Sequence, residues 1–195
     1  AIPDPWKQVQ RLETKEGDMV LGVDWREEKQ LAASTQLGSV HVYDLETTTP
    51  VWSKEQAHGM EVWQVCWISD AVLLSGADDM RWRLWDIRSE DKQKESPKHG
   101  FEGGVTSFCP VSEHQVWVGS YDEHARLIDL RFDKPVEEYK MVGGVWRLKG
   151  RKEEDKWKLG GACMHGAFQV LEWTGEQAPT PLLTYTGPHK CPDAL

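Results

Sequence analysis

Three residues of this chain have types and positions suited to proton transfer: His165, His124 and Asp122. Asp122 lies seven residues before the acidic Asp129, and His165 lies seven residues before the acidic Glu172. An imidazole therefore occupies, at 165, the position that a carboxylate holds in the preceding segment. Imidazole changes charge near neutral pH, which suits general acid–base catalysis. We predict His165 as the leading general acid or base, with His124 second and Asp122 as an orienting group; the alternative for each is a structural role in a turn.

Two side chains could act as nucleophiles, the hydroxyl of Ser120 and the thiol of Cys163. Both end segments that we predict to be buried strands, which disfavours attack on a substrate. The chain has no G-x-S-x-G nucleophile elbow and no CxxC pair. The spacing of the histidines, cysteines and carboxylates does not match that of a metal ligand set. We therefore predict neither a metal nor a cofactor. Catalytic groups would have to be assembled from turns.

A repeat determines where those turns lie. Each unit closes on an acid, and these acids lie at intervals of 42, 43 and 43 residues: Asp44, Asp86, Asp129 and Glu172. The clearest copy ends in the letters LWD, at residues 84–86. A period of this length, with Trp-Asp closing a strand-like segment, is typical of a WD-repeat β-propeller. The sequence therefore predicts an all-β fold with about four blades, and a further unit cut short at Leu195.

Each unit contains alternating apolar segments that predict strands. The first strands are expected at 20–25, 62–67, 105–108 and 145–148. A second and a third strand follow, and a weakly marked fourth is expected at 51–52, 136–139 and 182–185 in three of the units. The charged segments 88–98 and 149–156 are predicted to be solvated loops. The turns between second and third strands should then lie near the starts of the first strands, on one face.

The aspartates of those turns have a structural interpretation. A turn carboxylate can accept backbone N–H bonds. Histidines precede the first strands of two units, and by resemblance to other WD-repeat proteins they are expected to bind the turn aspartates. We predict pairs between His58 and Asp79 and between His99 and Asp122, as scaffold.

Charge and cysteine content narrow the classes of partner. The formal net charge of −9 disfavours sequence-independent binding of nucleic acid, which needs a basic surface. No apolar segment approaches the length of a membrane span, and no signal peptide opens the chain. Four widely separated cysteines indicate free thiols, so we expect a reducing compartment, the cytoplasm. From the charge and the apolar segments we expect neither nucleic acid nor a membrane as a partner.

Three segments are more specific than the repeat: GSYDEH at 119–124, GGVWR at 143–147 and ACMHG at 162–166. In this order and spacing they resemble the WD-repeat diphthine methyl ester hydrolases, enzymes of diphthamide biosynthesis. The resemblance is best over residues 63–173. It implies a ring of about seven blades, of which this chain would be a fragment.

The resemblance also implies a substrate, elongation factor 2 carrying methylated diphthine, and contacts with other diphthamide-pathway proteins. The reaction removes a methyl ester and releases methanol. The quaternary ammonium of that substrate could contact the aromatic faces of Trp63, Tyr121 and Trp146. Arg147 could bind the product carboxylate or stabilise an oxyanion. The alternatives are that the aromatic residues pack between blades and that Arg147 pairs with a neighbouring acid.

Two functions remain open on sequence alone. The first, which the three segments favour, is an esterase, by a covalent or a water-mediated route. The second is a non-catalytic interaction scaffold, because a propeller fold by itself implies no chemistry.

Overall fold

The computed structural model describes residues 12, 14–27, 29–89, 92–97, 99–132, 134–165 and 167–187, with only the backbone at 92 and 93. Within these residues the regular structure consists of β-strands. No helix in the described part is long and apolar enough to cross a membrane. The predicted start of a further unit, residues 188–195, lies outside the described residues.

The strands form four antiparallel sheets of four strands each, in simple up-and-down order. These are the four blades. Blade 1 contains β1 (Val20–Arg26), β2 (Gln30–Thr35), β3 (Val40–Asp44) and β4 (Pro50–Lys54). Blade 2 contains β5 (Val62–Trp67), β6 (Val72–Ala77), β7 (Trp82–Asp86) and β8 (Lys92–Glu95). Blade 3 contains β9 (Val105–Pro110), β10 (Gln115–Ser120), β11 (His124–Asp129) and β12 (Pro135–Lys140). Blade 4 contains β13 (Val145–Glu153), β14 (Lys156–Cys163), β15 (Ala167–Trp173) and β16 (Thr180–Thr186). The predicted all-β, four-bladed fold is confirmed.

Two predicted loops are wrong. The segment 88–98 contains the outermost strand β8, and most of 149–156 belongs to an extended hairpin, because β13 continues to Glu153 and β14 begins at Lys156. Both segments lack apolar alternation, because charged and polar residues dominate their sequences. In the hairpin, ion pairs from Arg151 and Lys158 to Glu153 replace apolar packing on an exposed sheet surface.

The first strand of every blade carries a β-bulge at its second residue. The pairing register slips once in each of β1, β5, β9 and β13, at the same structural position, and the bulged residues are Leu21, Trp63, Thr106 and Trp146. A bulge leaves one residue unpaired and redirects its side chain. Trp63 and Trp146 therefore lie at the points where the strand pairing of their blades is interrupted.

In blades 2 and 3, the residue after the bulge links its blade to the next one. Gln64 Oε1 accepts a bond from the Phe108 backbone N–H at 3.1 Å. Ser107 Oγ accepts one from the Leu148 backbone N–H at 2.8 Å. These bonds fix successive first strands against one another, and apolar side chains pack between the sheets around them.

Three apolar cores fill the three gaps between the four blades. Val65 of β5 is fully buried, and the matching residues Phe108 and Leu148 are 3% and 1% exposed. The matching residue of β1, Val23, is 51% exposed. The same repeat position is therefore buried wherever the described chain has a preceding blade.

This contrast predicts unequal effects of two identical substitutions. Val65→Ala should lower the free energy of unfolding by about 2 kcal/mol, because it removes buried methyl groups and leaves a cavity. Val23→Ala is the matched control and should change it by less than about 0.5 kcal/mol. Urea unfolding of the 195-residue chain measures both, and equal destabilisation would contradict the blade assignment.

Candidate functional site

The turns between second and third strands are attached to the starts of the first strands. In each of blades 2 to 4, the first turn residue donates its backbone N–H to the carbonyl that precedes the first strand. The pairs are Asp78 to Glu61, Tyr121 to Gly104, and Met164 to Gly144, at 2.9, 2.9 and 2.7 Å. The structure therefore gathers these turns and the bulged residues on one face, which we call the turn face.

In blade 2 the turn aspartate belongs to a scaffold network. His58 Nδ1 lies 3.0 Å from Asp79 Oδ1, and His58 Nε2 lies 2.7 Å from Ser75 Oγ. Trp85 Nε1 donates to Ser75 Oγ at 2.8 Å, and Arg83 donates to Asp79 at 2.8 Å. Although burial opposes ionisation, the bonds from His58 and Arg83 hold the pKa of Asp79 well below its usual range. The predicted pair of His58 and Asp79 is confirmed as scaffold.

In blade 3 the predicted pair of His99 and Asp122 is wrong. His99 is exposed, and the residue that matches His58, four positions before the first strand, is Phe101. The Arg126 guanidinium lies 4.9 Å from the Phe101 ring centroid and donates to Asp122 Oδ2 at 2.9 Å. An aromatic ring and an arginine thus replace the imidazole, because unit 3 places its histidine two residues earlier in the chain.

The structure places Asp122 and His124 in the scaffold of blade 3. Asp122 accepts bonds from Arg126 and from the backbone N–H groups of Glu102 and His124. Burial opposes ionisation of Asp122, but these bonds together lower its pKa. His124 Nδ1 lies 2.8 Å from the Asp122 carbonyl, and its Nε2 lies 3.5 Å from Glu138 on the outermost strand. His124 is therefore held toward the outer half of the blade.

His165 lies in a different environment. Cys163 pairs with Val145 as Ser120 pairs with Val105, so the register puts His165 at the position of Asp122. The side chain of His165 is exposed, its φ is 69°, and no hydrogen bond or ion pair joins it to another residue that the structure describes.

The rest of blade 4 explains why an aspartate is not needed there. Buried Met141 lies four positions before the first strand, where blade 2 has His58. Gln169 replaces the arginine of the third strand, and its Nε2 donates to Thr184 at 3.0 Å. A carboxylate at 165 would have neither partner. His165 is thus freed from the scaffold role of its counterparts.

Neither predicted nucleophile is available in this structure. Ser120 is fully buried and donates its hydroxyl to the Gly103 carbonyl at 3.0 Å. Cys163 is buried, and burial raises the pKa of its thiol. Cys109 is affected in the same way, with a pKa raised to about 11 by burial. A buried thiol in its neutral form is a poor nucleophile.

The predicted substrate-binding residues do come together on the turn face. The rings of Trp63 and Trp146, from blades 2 and 4, meet edge to face with centroids 5.4 Å apart. The blade 3 bulge between them carries a small buried side chain, Thr106. The Arg147 guanidinium carbon lies 4.9 Å from the Trp146 ring centroid. Half-exposed Tyr121 packs beside blade 4 as well.

Arg147 has no carboxylate partner among the described residues. Its Nη1 donates to the carbonyl oxygens of Thr106 and Trp146, at 3.0 and 2.9 Å. Burial lowers the pKa of the guanidinium, since a half-buried cation loses hydration. The alternative prediction that Arg147 pairs with an acid of a neighbouring blade is therefore wrong for the described chain.

One contact with the form of a catalytic pair was missed from the sequence. His41 Nδ1 lies 3.0 Å from Ser53 Oγ, beside a cavity of about 820 Å³. The repeat gives it a structural explanation, because the same cross-strand position carries a side-chain hydrogen bond in every blade. The other three pairs are Arg83 with Glu95, Arg126 with Glu138, and Gln169 with Thr184.

Comparison with known proteins agrees with this architecture. A family profile described as "WD domain, G-beta repeat" matches residues 49–86. A crystal structure of the WD40 β-propeller domain of Doa1 superposes with a TM-score of 0.72 at 15% identity, covering 88% of this chain and 54% of that one. The chain therefore has the fold of a WD-repeat β-propeller.

Its sequence is more specifically similar to diphthine methyltransferases. It is 31% identical to the Homo sapiens protein of that name, over 94% of this chain and 44% of that protein. It is 30% identical to the Dictyostelium discoideum homolog, over 87% of this chain and 53% of that protein. The chain thus spans about half the length of these relatives. The resemblance to diphthine enzymes is confirmed, although the relatives' name does not specify ester hydrolysis.

The Asp122 network predicts an acid-dependent stability. A carboxylate whose folded pKa is depressed stabilises the fold above its unfolded pKa of about 3.9, and this contribution is lost as pH falls through the folded pKa. Asp122→Asn should therefore destabilise the chain at pH 7 and reduce the difference between pH 5 and pH 2. Urea unfolding across this range measures the slope. The exposed Asp70→Asn is the control, and identical slopes for wild type and Asp122→Asn would contradict the assignment.

Proposed function

We propose that the protein acts in diphthamide biosynthesis, where it hydrolyses the methyl ester of methylated diphthine on elongation factor 2. The similarity to diphthine methyltransferases over nearly the whole chain carries this proposal. The turn face supports it, because an exposed histidine and a cluster of tryptophans with an arginine lie on the same side of the blades. Elongation factor 2 and other pathway proteins are the proposed partners, in the cytoplasm.

A water-mediated route suits the described residues better than a covalent one. Ser120 is buried and engaged, and Cys163 is a buried thiol whose pKa is raised. We propose that His165 takes a proton from a water molecule as that water attacks the ester carbonyl. The bond to the methoxy group then breaks, the imidazolium returns the proton to the leaving oxygen, and the products are methanol and a carboxylic acid, which ionises by releasing its own proton to solvent.

Arg147 and the aromatic residues would supply the remaining interactions. Two guanidinium nitrogens of Arg147 have no bond to another described residue, so they can donate to the oxyanion that develops on the carbonyl. The faces of Trp63, Trp146 and Tyr121 can contact the quaternary ammonium.

An interaction scaffold remains the second candidate function. The observation that favours it is the isolation of His165, which no other described side chain orients by a hydrogen bond. A general base is usually held in place by a partner. In the esterase, the bound substrate would have to supply that orientation.

The direct test incubates the full-length protein with elongation factor 2 carrying methylated diphthine and follows the mass of the modified peptide. Hydrolysis predicts the mass loss that corresponds to conversion of a methyl ester into an acid. A folded protein that leaves the mass unchanged, while co-purifying in a stable complex, would replace the esterase with the scaffold.

The role of His165 has a matched control in the same chain. His165→Ala should reduce turnover by about 100-fold or more, as expected for loss of a general base. His114→Ala is the control, because His114 is also exposed but lies in the loop between first and second strands, at the opposite end of blade 3. Neither change should shift the unfolding midpoint. Equal turnover of the two variants would exclude His165 as the base.

A further inference from the structure

Two charges of opposite sign lie at the ends of the tryptophan pair. We call Asp78, Trp63, Trp146 and Arg147 the rim cluster. Trp63 Nε1 donates to Asp78 Oδ1 at 3.2 Å, at one end of the pair. Arg147 stacks on Trp146 at the other end. Among the described residues, Asp78 has no cationic partner and Arg147 has no carboxylate partner, so both charges remain available to a ligand.

The repeat indicates that Arg147 is not a scaffold residue. Its counterparts Gln64 and Ser107 accept a backbone N–H of the next blade through a side-chain oxygen. Arginine carries donors and no acceptor, so it cannot make this link. Arg147 instead turns back toward Thr106 and keeps its unused donors at the rim. The substitution therefore replaces a structural bond with a binding group.

The position of Asp78 also depends on a feature outside its own blade. A Cβ atom at Gly104 of blade 3 would lie 2.5 Å from Asp78 Oδ1 and 3.2 Å from its Cα. A larger residue at 104 would displace the Asp78 carboxylate from this position. The matching residue of blade 2 is Glu61. The rim thus has space built for a carboxylate beside an indole.

We propose that the rim cluster binds a zwitterionic side chain, with its cation at Asp78 and Trp63 and its carboxyl group at Arg147. An indole face and a carboxylate together attract an ammonium group, and a quaternary ammonium satisfies them without donating hydrogen bonds. A guanidinium with free donors binds a carboxyl group in a planar, paired geometry. This inference deepens the proposed function, because the proposed hydrolysis would convert a methyl ester into the carboxyl group of such a side chain, but it concerns binding and its test does not depend on turnover.

The test titrates the chain with trimethylammonium carboxylates of increasing chain length, with tetramethylammonium and acetate as probes of each half. The indole ¹H–¹⁵N signals of Trp63 and Trp146 report binding. At one chain length, the zwitterion should bind at least about tenfold more tightly than either half, as expected when two charge contacts act together. Inorganic phosphate is a further arm, and tighter binding of phosphate than of every zwitterion would overturn the proposal in favour of a simple anion site.

Two charge-neutralising variants separate the ends. Asp78→Asn should weaken tetramethylammonium and the zwitterion but leave acetate unchanged, whereas Arg147→Gln should weaken acetate and the zwitterion but leave tetramethylammonium unchanged. Arg151→Gln, on the exposed hairpin at the other end of β13, is the control. Circular dichroism checks that each variant folds. Equal effects of Asp78→Asn and Arg147→Gln on both half-probes would overturn the proposal, even if turnover of elongation factor 2 is observed.

Discussion

The β-bulge at the second residue of each first strand is the constraint on which the turn face depends. A bulge leaves one residue out of the ladder, so its side chain is directed away from the sheet. In blades 2 and 4 that residue is a tryptophan, and in blade 3 it is the small Thr106, whose hydroxyl bonds the Val145 carbonyl of the next blade. This alternation of large, small and large residues allows Trp63 and Trp146 to meet across an intervening blade.

The same repeat distinguishes scaffold from candidate chemistry. A contact that recurs at matching positions holds the blade together, whichever residues make it. The cross-strand hydrogen bond between His41 and Ser53 in blade 1 is an example, because each of the other three blades has its own counterpart. A residue that leaves its structural role is more informative. His165 and Arg147 both do so, and both lie in blade 4 on the turn face. On the turn face, blade 4 is therefore the described blade that departs furthest from the structural contacts that the other blades share.

Much of the fold could be predicted because the signal repeats. The closing acids fixed the units, and alternating apolar residues located the first strands, with β5 predicted residue for residue. Strand β8 and the hairpin of β13 and β14 were missed because their sequences are charged and polar and show no apolar alternation. The slip from His99 to Phe101 was missed because the distance to the first strand varies between units, and the histidine itself gave a misleading match.

The candidate site was only partly predictable. The sequence placed Trp63, Trp146 and Arg147 on one face, where the structure also has them, but it could not show that the two rings meet, because that contact depends on the bulges and on a small residue in the first strand of blade 3. It ranked His165 above His124 but left a structural role open for both. The structure separates them, because hydrogen bonds within blade 3 hold His124 while His165 is exposed without a described partner.

Binding of the substrate at the bulged residues of the turn face is the step on which the proposed function depends. It is tested by adding elongation factor 2 carrying methylated diphthine to the full-length protein and recording the indole ¹H–¹⁵N signals of that protein. The signals of Trp63 and Trp146 should shift, while those of the buried Trp82 and Trp117 remain unchanged. Unchanged signals from Trp63 and Trp146 under conditions where the two proteins form a complex would contradict this mode of binding.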